Sequence, residues 1–284
     1  MILITDHTIK SLASFAEVEL ADISDSVKLD VQILLSFVLQ KDISYLFTWP
    51  DKKLSVAQAE QFMTLLSQRK QGKPIAYLTG HKEFWSLDFF VSSATLIPRP
   101  DTESLVELIL LNHCEMPQHC LDLGTGSGVI ALALASERQQ WKIFAVDYSV
   151  QAVALAKRNA AHLNYPKVNI FQSNWFESID KQLTFDVIVS NPPYIDENDH
   201  HLIQGDVRFE PSTALVSGDK GLADIVTITE QATGFLKNNG YLYIEHGYQQ
   251  AQSVRALLLK NSYYNVLTVQ DLNGNDRVTY GQYF

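Results

Sequence analysis

Cys120-Leu121-Asp122-Leu123-Gly124-Thr125-Gly126-Ser127-Gly128 is followed without a break by Val129-Ile130-Ala131-Leu132-Ala133-Leu134-Ala135. A short apolar run, three glycines at alternate positions and a long apolar run read as a buried strand, a tight loop and a packed helix. Glycines so spaced let the backbone turn sharply and let a ligand lie against it with no Cβ in the way. Lys142-Ile143-Phe144-Ala145-Val146-Asp147 is a second strand that ends in a carboxylate. It lies about 20 residues beyond the loop, where α/β nucleotide sites keep the acid that accepts hydrogen bonds from ribose hydroxyls. Gly126-x-Gly128-x-x-Ala131 also matches the dinucleotide fingerprint, so the loop by itself admits NAD as readily as another adenosine cofactor.

Outward from the loop, strands are expected near 119–123, 142–147, 167–171 and 184–190, with apolar helices between them. A helix follows from Leu222 to Leu236, a strand from Tyr241 to Glu245 and a helix from Ala251 to Leu259. Two last strands near 263–270 and 277–283 are joined by Asp271-Leu272-Asn273-Gly274-Asn275-Asp276, which suits a hairpin. The alternation predicts an α/β fold whose parallel sheet carries one antiparallel strand at its end. From about Asp6 to Gly72 the spacing of Ile9, Leu12, Ala13, Ala16 and Leu20, and of Val31, Leu34, Leu35 and Val38, is helical. A small bundle is expected there, with a capping box at Ser55-Val56-Ala57-Gln58 and a helix end marked by Gly72 and Pro74. Glu83 to Val91 is β-rich and reads as a two-stranded connector, with the domain boundary between Gly80 and Thr95. Ile97-Pro98-Arg99-Pro100 is extended chain leading into a helix capped by Asp101 or Thr102.

A chain of 284 residues accommodates two domains of unequal size. Its formal net charge of −10 is the wrong sign for a surface that tracks a nucleic-acid backbone, so a protein or small-molecule substrate is expected. Cys114 and Cys120 form no Cys-x-x-Cys pair, and reduced, packed thiols in the cytoplasm are expected. His113-Cys114 and His119-Cys120 lack zinc-ligand spacing, and the adjacent His200-His201 read as solvated, so no metal is expected. No segment approaches membrane-spanning length, and Met1-Ile2-Leu3-Ile4-Thr5-Asp6 has no basic run before an apolar stretch, so a soluble, unexported protein is expected.

Phe185-Asp186-Val187-Ile188-Val189-Ser190 is a core strand, and Asn191-Pro192-Pro193-Tyr194 follows it directly. Neither proline donates to a sheet ladder, so the strand stops at Ser190 or Asn191, where open α/β sheets keep their chemistry. Pro192 has a carbonyl and no N–H, so Asn191 and Pro192 offer two neighbouring carbonyl acceptors with the Tyr194 ring beyond them. Two acceptors and an aromatic face suit a planar –NH2 group. A plain strand-ending Asn-Pro turn would have the same sequence, so the tetrapeptide gains its meaning from the loop and the carboxylate that precede it.

Asp122 with the glycine loop, then Asp147, then Asn191-Pro192-Pro193-Tyr194 resembles the class I S-adenosylmethionine-dependent methyltransferases that act on planar nitrogen. Leu96-Ile97-Pro98-Arg99-Pro100-Asp101-Thr102-Glu103, Ser173-Asn174-Trp175-Phe176, Ser190 to Ile195 and Val207-Arg208-Phe209-Glu210-Pro211 narrow the likeness. Together they look like the HemK-type release factor glutamine methyltransferases, over nearly the whole chain. One departure is Asn174, where such proteins often carry Asp.

The resemblance implies a Rossmann-like seven-stranded methyltransferase sheet over residues 96–284. It also implies a helical substrate-recognition domain over 1–80 and a β-hairpin linker over 81–95. It implies methylation, with S-adenosyl-L-methionine as donor and S-adenosyl-L-homocysteine as product, of the Gln side-chain amide in the Gly-Gly-Gln loop of class 1 peptide chain release factors. Asn191 and Pro192 would then hold the amide, with Pro193 and Tyr194 beside it. Gly124, Thr125, Gly126, Ser127, Gly128, Asp147 and Asn191 would line the cofactor site, and Trp175 would lie beside its adenine unless it is an ordinary core aromatic. Arg99, Arg208 and Glu210 sit in loops able to approach the same strand ends, but surface ion pairs explain them almost as well, and Glu245 is a weaker candidate, since many such strand-end carboxylates only cap a neighbouring helix. The competing readings are a nucleic-acid base N-methyltransferase, since the same tetrapeptide holds a flipped exocyclic amine, an NAD-dependent oxidoreductase, and a binding protein without catalysis.

Overall fold

The computed structural model describes residues 6–284, and the reading of the first five residues lies outside them. The chain forms two compact units. The smaller comprises the N-terminal segment through Gly80 together with Ile203–Phe209, and the larger is His81–Leu202 with Glu210–Phe284.

In the smaller unit the helical periodicity becomes α1 (Ile9–Leu20), α2 (Val27–Leu39), α3 (Ile43–Thr48), α4 (Val56–Lys70) and α5 (Ile75–Thr79). α1 starts because the Thr8 hydroxyl accepts from the Ser11 amide, and Ile9, Leu12, Ala16 and Leu20 then share its buried stripe. The capping box forms as read. The Ser55 amide donates to Gln58 Oε1 at 3.0 Å and the Gln58 amide to Ser55 Oγ at 3.3 Å. Phe62 and Leu66 of α4 meet Leu34, Leu35 and Val38 of α2 in one core. Arg69 of α4 is buried against Asp30 of α2 at 2.8 Å and also reaches Asp206 at 3.2 Å. Breaking such a pair on one side strands a buried charge, which costs about 3–5 kcal/mol.

The larger unit opens with β1 (His81–Phe84) and β2 (Leu87–Phe90), joined by Trp85 and Ser86 at φ of 53° and 56°. Positive φ at both central residues makes a two-residue turn whose twist matches the strands. Phe84 and Phe89 enter the unit's core beside Leu105 and Ile109. The elements that follow are α6 (Asp101–Asn112), β3 (His119–Leu123), α7 (Val129–Glu137), β4 (Lys142–Asp147), α8 (Val150–His162), β5 (Asn169–Gln172) and β6 (Phe185–Ser190). After them come a one-turn α9 (Gly218–Gly221), α10 (Ala223–Ala232), β7 (Leu236–Glu245), α11 (Ala251–Lys260), β8 (Tyr263–Gln270) and β9 (Asp276–Tyr283).

Seven strands form one sheet in the order β5-β4-β3-β6-β7-β9-β8. β3 to β7 pair in parallel, and β9 alone runs against its neighbours on both sides. The β8–β9 hairpin therefore closes the sheet at its end as expected, with β9 as its inner, antiparallel strand and β8 at the edge. Leu236, read as the last residue of a helix, instead opens β7 opposite Phe185. The register then slips through Lys237 to Gly240, where Asn239 sits at φ 65°. Among the described residues no helix is long and apolar enough to cross a membrane.

Strand order reverses direction beside β3: the chain goes from β3 outward to β4 and β5, then returns to β6 on the other side. The C-terminal ends of β3 and β6 thus part around a crevice, the position where open α/β sheets bind ligands.

Candidate active site

Asp122 lies near the end of β3 with its carboxylate fully buried. Oδ2 accepts from the Thr125 hydroxyl at 2.6 Å and from the Ala131 amide at 3.2 Å, which ties the loop's start to the first turn of α7. Among the described residues Oδ1 has no hydrogen-bond partner, and burial pushes the group up to about 7. Gly124, Gly126 and Gly128 all have positive φ (71°, 57° and 87°), which a side chain would resist. A Cβ on Gly124 would stand 3.5 Å from the Trp175 ring and fill the gap between loop and indole. Asn159 of α8, also fully buried, donates to the Ser127 carbonyl at 2.8 Å and exchanges bonds with the Phe90 backbone, so β2 and α8 hold the loop from behind.

Asp147 ends β4. One oxygen accepts from the Gly126 amide and the other from the Ser149 amide, both at 2.8 Å, and burial raises its pKa despite these bonds. Each oxygen keeps a second lone pair for a ligand hydroxyl. Trp175 takes φ 47°, a turn held by Ser173, whose hydroxyl donates to the Trp175 carbonyl at 2.8 Å and accepts from the Ser178 amide at 3.0 Å. Asn174 donates to Glu177 at 2.8 Å. An Asp at 174 would instead face Glu177 with like charge.

A cleft of about 310 Å³ gathers these parts: Gly124, Thr125, Gly126, Ser127, Asp147, Trp175, Asn191 and Pro193 all line it. Gly128 does not. Its missing Cβ leaves room for Ala156 and Leu132, each 3.2 Å from where that atom would be, so this glycine serves the packing of α7 on α8. Pro192 is buried beneath the lining, and Tyr194 packs into the core below β6 and β7, its carbonyl accepting from Gln250 at 3.0 Å.

Several lining residues escaped the sequence reading. Thr95, Thr102, Ser149, Thr213 and Asp224 line the cleft. Arg99, expected in a loop near the strand ends or in an ion pair, does both: it lines the cleft and bonds to the buried Glu210 at 2.6 Å. Arg208 belongs to the smaller unit, where it donates to the Gln71 carbonyl at 3.1 Å. Thr102 is not the cap of α6. Pro100 holds that position, Asp101 pairs with Arg277 at 3.4 Å, and the Thr102 hydroxyl accepts from Asn191 Nδ2 at 3.2 Å. Glu245 ends β7 beside this pair with 1% of its surface exposed, and caps no helix.

The histidines and cysteines lie elsewhere. His113 bonds the Tyr243 hydroxyl at 3.0 Å, and burial lowers its pKa to about 4. Cys120 is buried as expected, whereas Cys114 is exposed and not packed. Asp199, His200 and His201 bring their ligand atoms within 4.8 Å of one another on an exposed loop.

Comparison with known proteins agrees with this architecture. Residues 12–80 match the family model of the PrmC N-terminal domain, and residues 101–212 that of the methyltransferase small domain. Residues 159–269 also match the Eco57I restriction-modification methylase model. The chain is 52% identical over 269 residues to the release factor glutamine methyltransferase of Shewanella oneidensis, covering 95% of this chain and 94% of the relative. It is 51% identical to that of Escherichia coli, over 92% and 94% of the two chains. A methyltransferase from Pyrococcus furiosus superposes with a TM-score of 0.54 over 76% of this chain and 96% of its own, at 19% identity, a likeness of fold alone.

Proposed function

The chain belongs to the release factor glutamine methyltransferase family, and from that premise we propose that it methylates the side-chain amide nitrogen of the Gln in the Gly-Gly-Gln loop of class 1 peptide chain release factors. The observation that carries this reading is a single cleft lined by the glycine loop, Asp147, Trp175 and Asn191. The donor is S-adenosylmethionine, which supplies a methyl group on a positively charged sulfur. The site suits it: three positive-φ glycines leave a surface free of side chains, Asp147 retains lone pairs for ribose hydroxyls, and the Trp175 indole flanks the loop.

An amide nitrogen is a poor nucleophile because its lone pair is delocalised into the carbonyl. The protein's task is therefore orientation more than base strength. The Asn191 side-chain oxygen, which lines the cleft, and the carbonyl of Pro192 beneath it would accept the two N–H bonds of the substrate amide and so fix its orientation. The same acceptors favour the positive charge that develops on nitrogen during transfer. Tyr194 sets the loop's course through its carbonyl bond to Gln250 and its ring in the core. Released protons pass to solvent. The helical unit recognises the folded factor, and the work is cytoplasmic, where release factors act.

Incubation with a release factor and S-adenosylmethionine, followed by mass spectrometry, should show one methyl group on that Gln and none when Gln is replaced by Glu. An isolated Gly-Gly-Gln peptide should react more slowly, because the ordering of the loop then falls on the active site alone. The match to a restriction-modification methylase keeps one second reading in view, a nucleic-acid base amine as acceptor. Methylation of DNA or RNA at a comparable rate would establish it, and the net charge of −10 argues against it.

A further inference from the structure

The Asn191 side chain is nearly symmetric in shape. A half-turn exchanges its oxygen and nitrogen with little steric cost, so packing cannot decide which end faces the cleft, and the hydrogen-bond polarity of its surroundings must. Those surroundings are buried. Ser190 pairs with Ile244 across β6 and β7, which places Asn191 beside Glu245 at the two strand ends. Thr102 of α6, 3% exposed, completes the cluster beside the Glu245 carboxyl, whose Oε2 is buried with no hydrogen-bond partner among the described residues.

We infer that Glu245 is a positioning residue for methyl transfer: as an acceptor-only carboxylate it orients Thr102 and Asn191 so that the Asn191 oxygen faces the cleft. The inference rests on the reading of that oxygen as an acceptor for the substrate amide. The logic has one direction. An ionised carboxylate can only accept, so the Thr102 hydroxyl donates to it. The Thr102 lone pair is then left for Asn191 Nδ2, 3.2 Å away. With its –NH2 engaged by Thr102 on the Glu245 side, Asn191 presents Oδ1 on the other. A protonated Glu245 can donate as well as accept, and Asn191 is then free to turn its –NH2 toward the substrate's own –NH2.

Burial raises the Glu245 carboxyl to about 7, while Thr102, Arg277 and Asn191 pull it down and Asp101 pushes it up. The groups facing it are Asp101 and Thr102 from α6, Asn191 and Tyr194 from the loop after β6, and Arg277 from β9. The ionised form is needed, so kcat should fall as pH drops through about 7.

Steady-state methylation of a release factor across that range, with S-adenosylmethionine affinity measured by calorimetry, tests the inference in five proteins. Glu245→Gln should lower kcat about tenfold to a hundredfold and flatten its pH dependence, with cofactor Kd within about threefold of wild type. Thr102→Val should lose kcat similarly, and Thr102→Ser, which keeps the hydroxyl, should recover most of it. Asn191→Ala should be inactive. A Glu245→Gln enzyme with wild-type kcat, or one that is slower but keeps the limb near neutrality, overturns the inference, since Asp122 titrates in the same range and would then own that limb. Equal impairment of Thr102→Ser and Thr102→Val also overturns it. An active Asn191→Ala refutes the underlying reading of the site, whereas an inactive one beside a normal Glu245→Gln refutes the role of Glu245 alone.

Discussion

Asn191 and Asp147 line the same cleft and should fail in different ways when removed. Asn191→Ala takes away an acceptor needed while charge develops, so kcat should drop at least about a hundredfold with cofactor affinity nearly unchanged. Single-turnover methylation beside calorimetric titration separates the two. Asp147→Ala should instead weaken S-adenosylmethionine binding by about 1–3 kcal/mol, through lost ribose contacts and through the Gly126 and Ser149 amides that lose their acceptor. An unchanged Kd would mean that Asp147 serves the loop only. Both residues were legible because a strand-end carboxylate and a strand-end Asn-Pro carry their position in the local pattern. Thr102 was not, and Glu245 showed only as a weaker strand-end candidate. Thr102 resembled an ordinary helix start, and what gives it meaning is an amide 89 residues away. Glu245 acquires its partners from α6 and from the loop after β6, which no local spacing joins.

At the level of elements, the alternation of strand and helix foretold the parallel sheet because each apolar run is bounded by loop residues. The position of β9 inside β8 was hidden, since a hairpin has the same sequence whichever of its strands meets the sheet. Trp85-Ser86 is likewise an unusual pair for a turn with two positive φ values; the core positions of Phe84 and Phe89 outweigh the turn's own preference. Gly128 looked like part of the ligand loop, yet the structure puts it between α7 and α8. Gly128→Ala combines φ 87° with contacts of 3.2 Å to Ala156 and Leu132. It should cost about 1–3 kcal/mol of stability. Chemical denaturation measures this, and Gly126→Ala is the informative companion. The nearest atom to a Cβ there is Thr95 Cβ at 3.9 Å, so steric loss should be smaller while cofactor affinity suffers more.

For the molecule as a whole, buried acids and buried histidines set opposite limits on stability with pH. Asp122 and Glu245 titrate near 7 in the fold against ordinary values of 3.8 and 4.5, so the native state keeps protons that the unfolded chain has released, and stability falls as pH rises through that window. His113, held to about 4 against 6.5, and His246, also lowered, work the other way: stability falls as pH drops below the unfolded value. Melting temperature should thus be greater at about pH 6.5 than at about pH 8. Glu245→Gln should raise it at the higher pH and leave it nearly unchanged near pH 5, giving an enzyme both slower and sturdier. A melting temperature lowered by that substitution at pH 8 would show that the carboxylate stabilises the fold. The division of the chain has a consequence of another kind. Ile203–Phe209 groups with the N-terminal helices, and Asp206 reaches Arg69 across 137 residues of sequence. Synthesis proceeds from the N-terminus, so when Gly80 has left the ribosome the helical unit still lacks its last seven residues. A nascent chain stalled when residues only up to 202 have emerged should be nicked by protease around Gln71 and Gly72, where Arg208 later docks, and lengthening it until residue 209 has emerged should abolish the cut: the first unit to be made is among those that must wait.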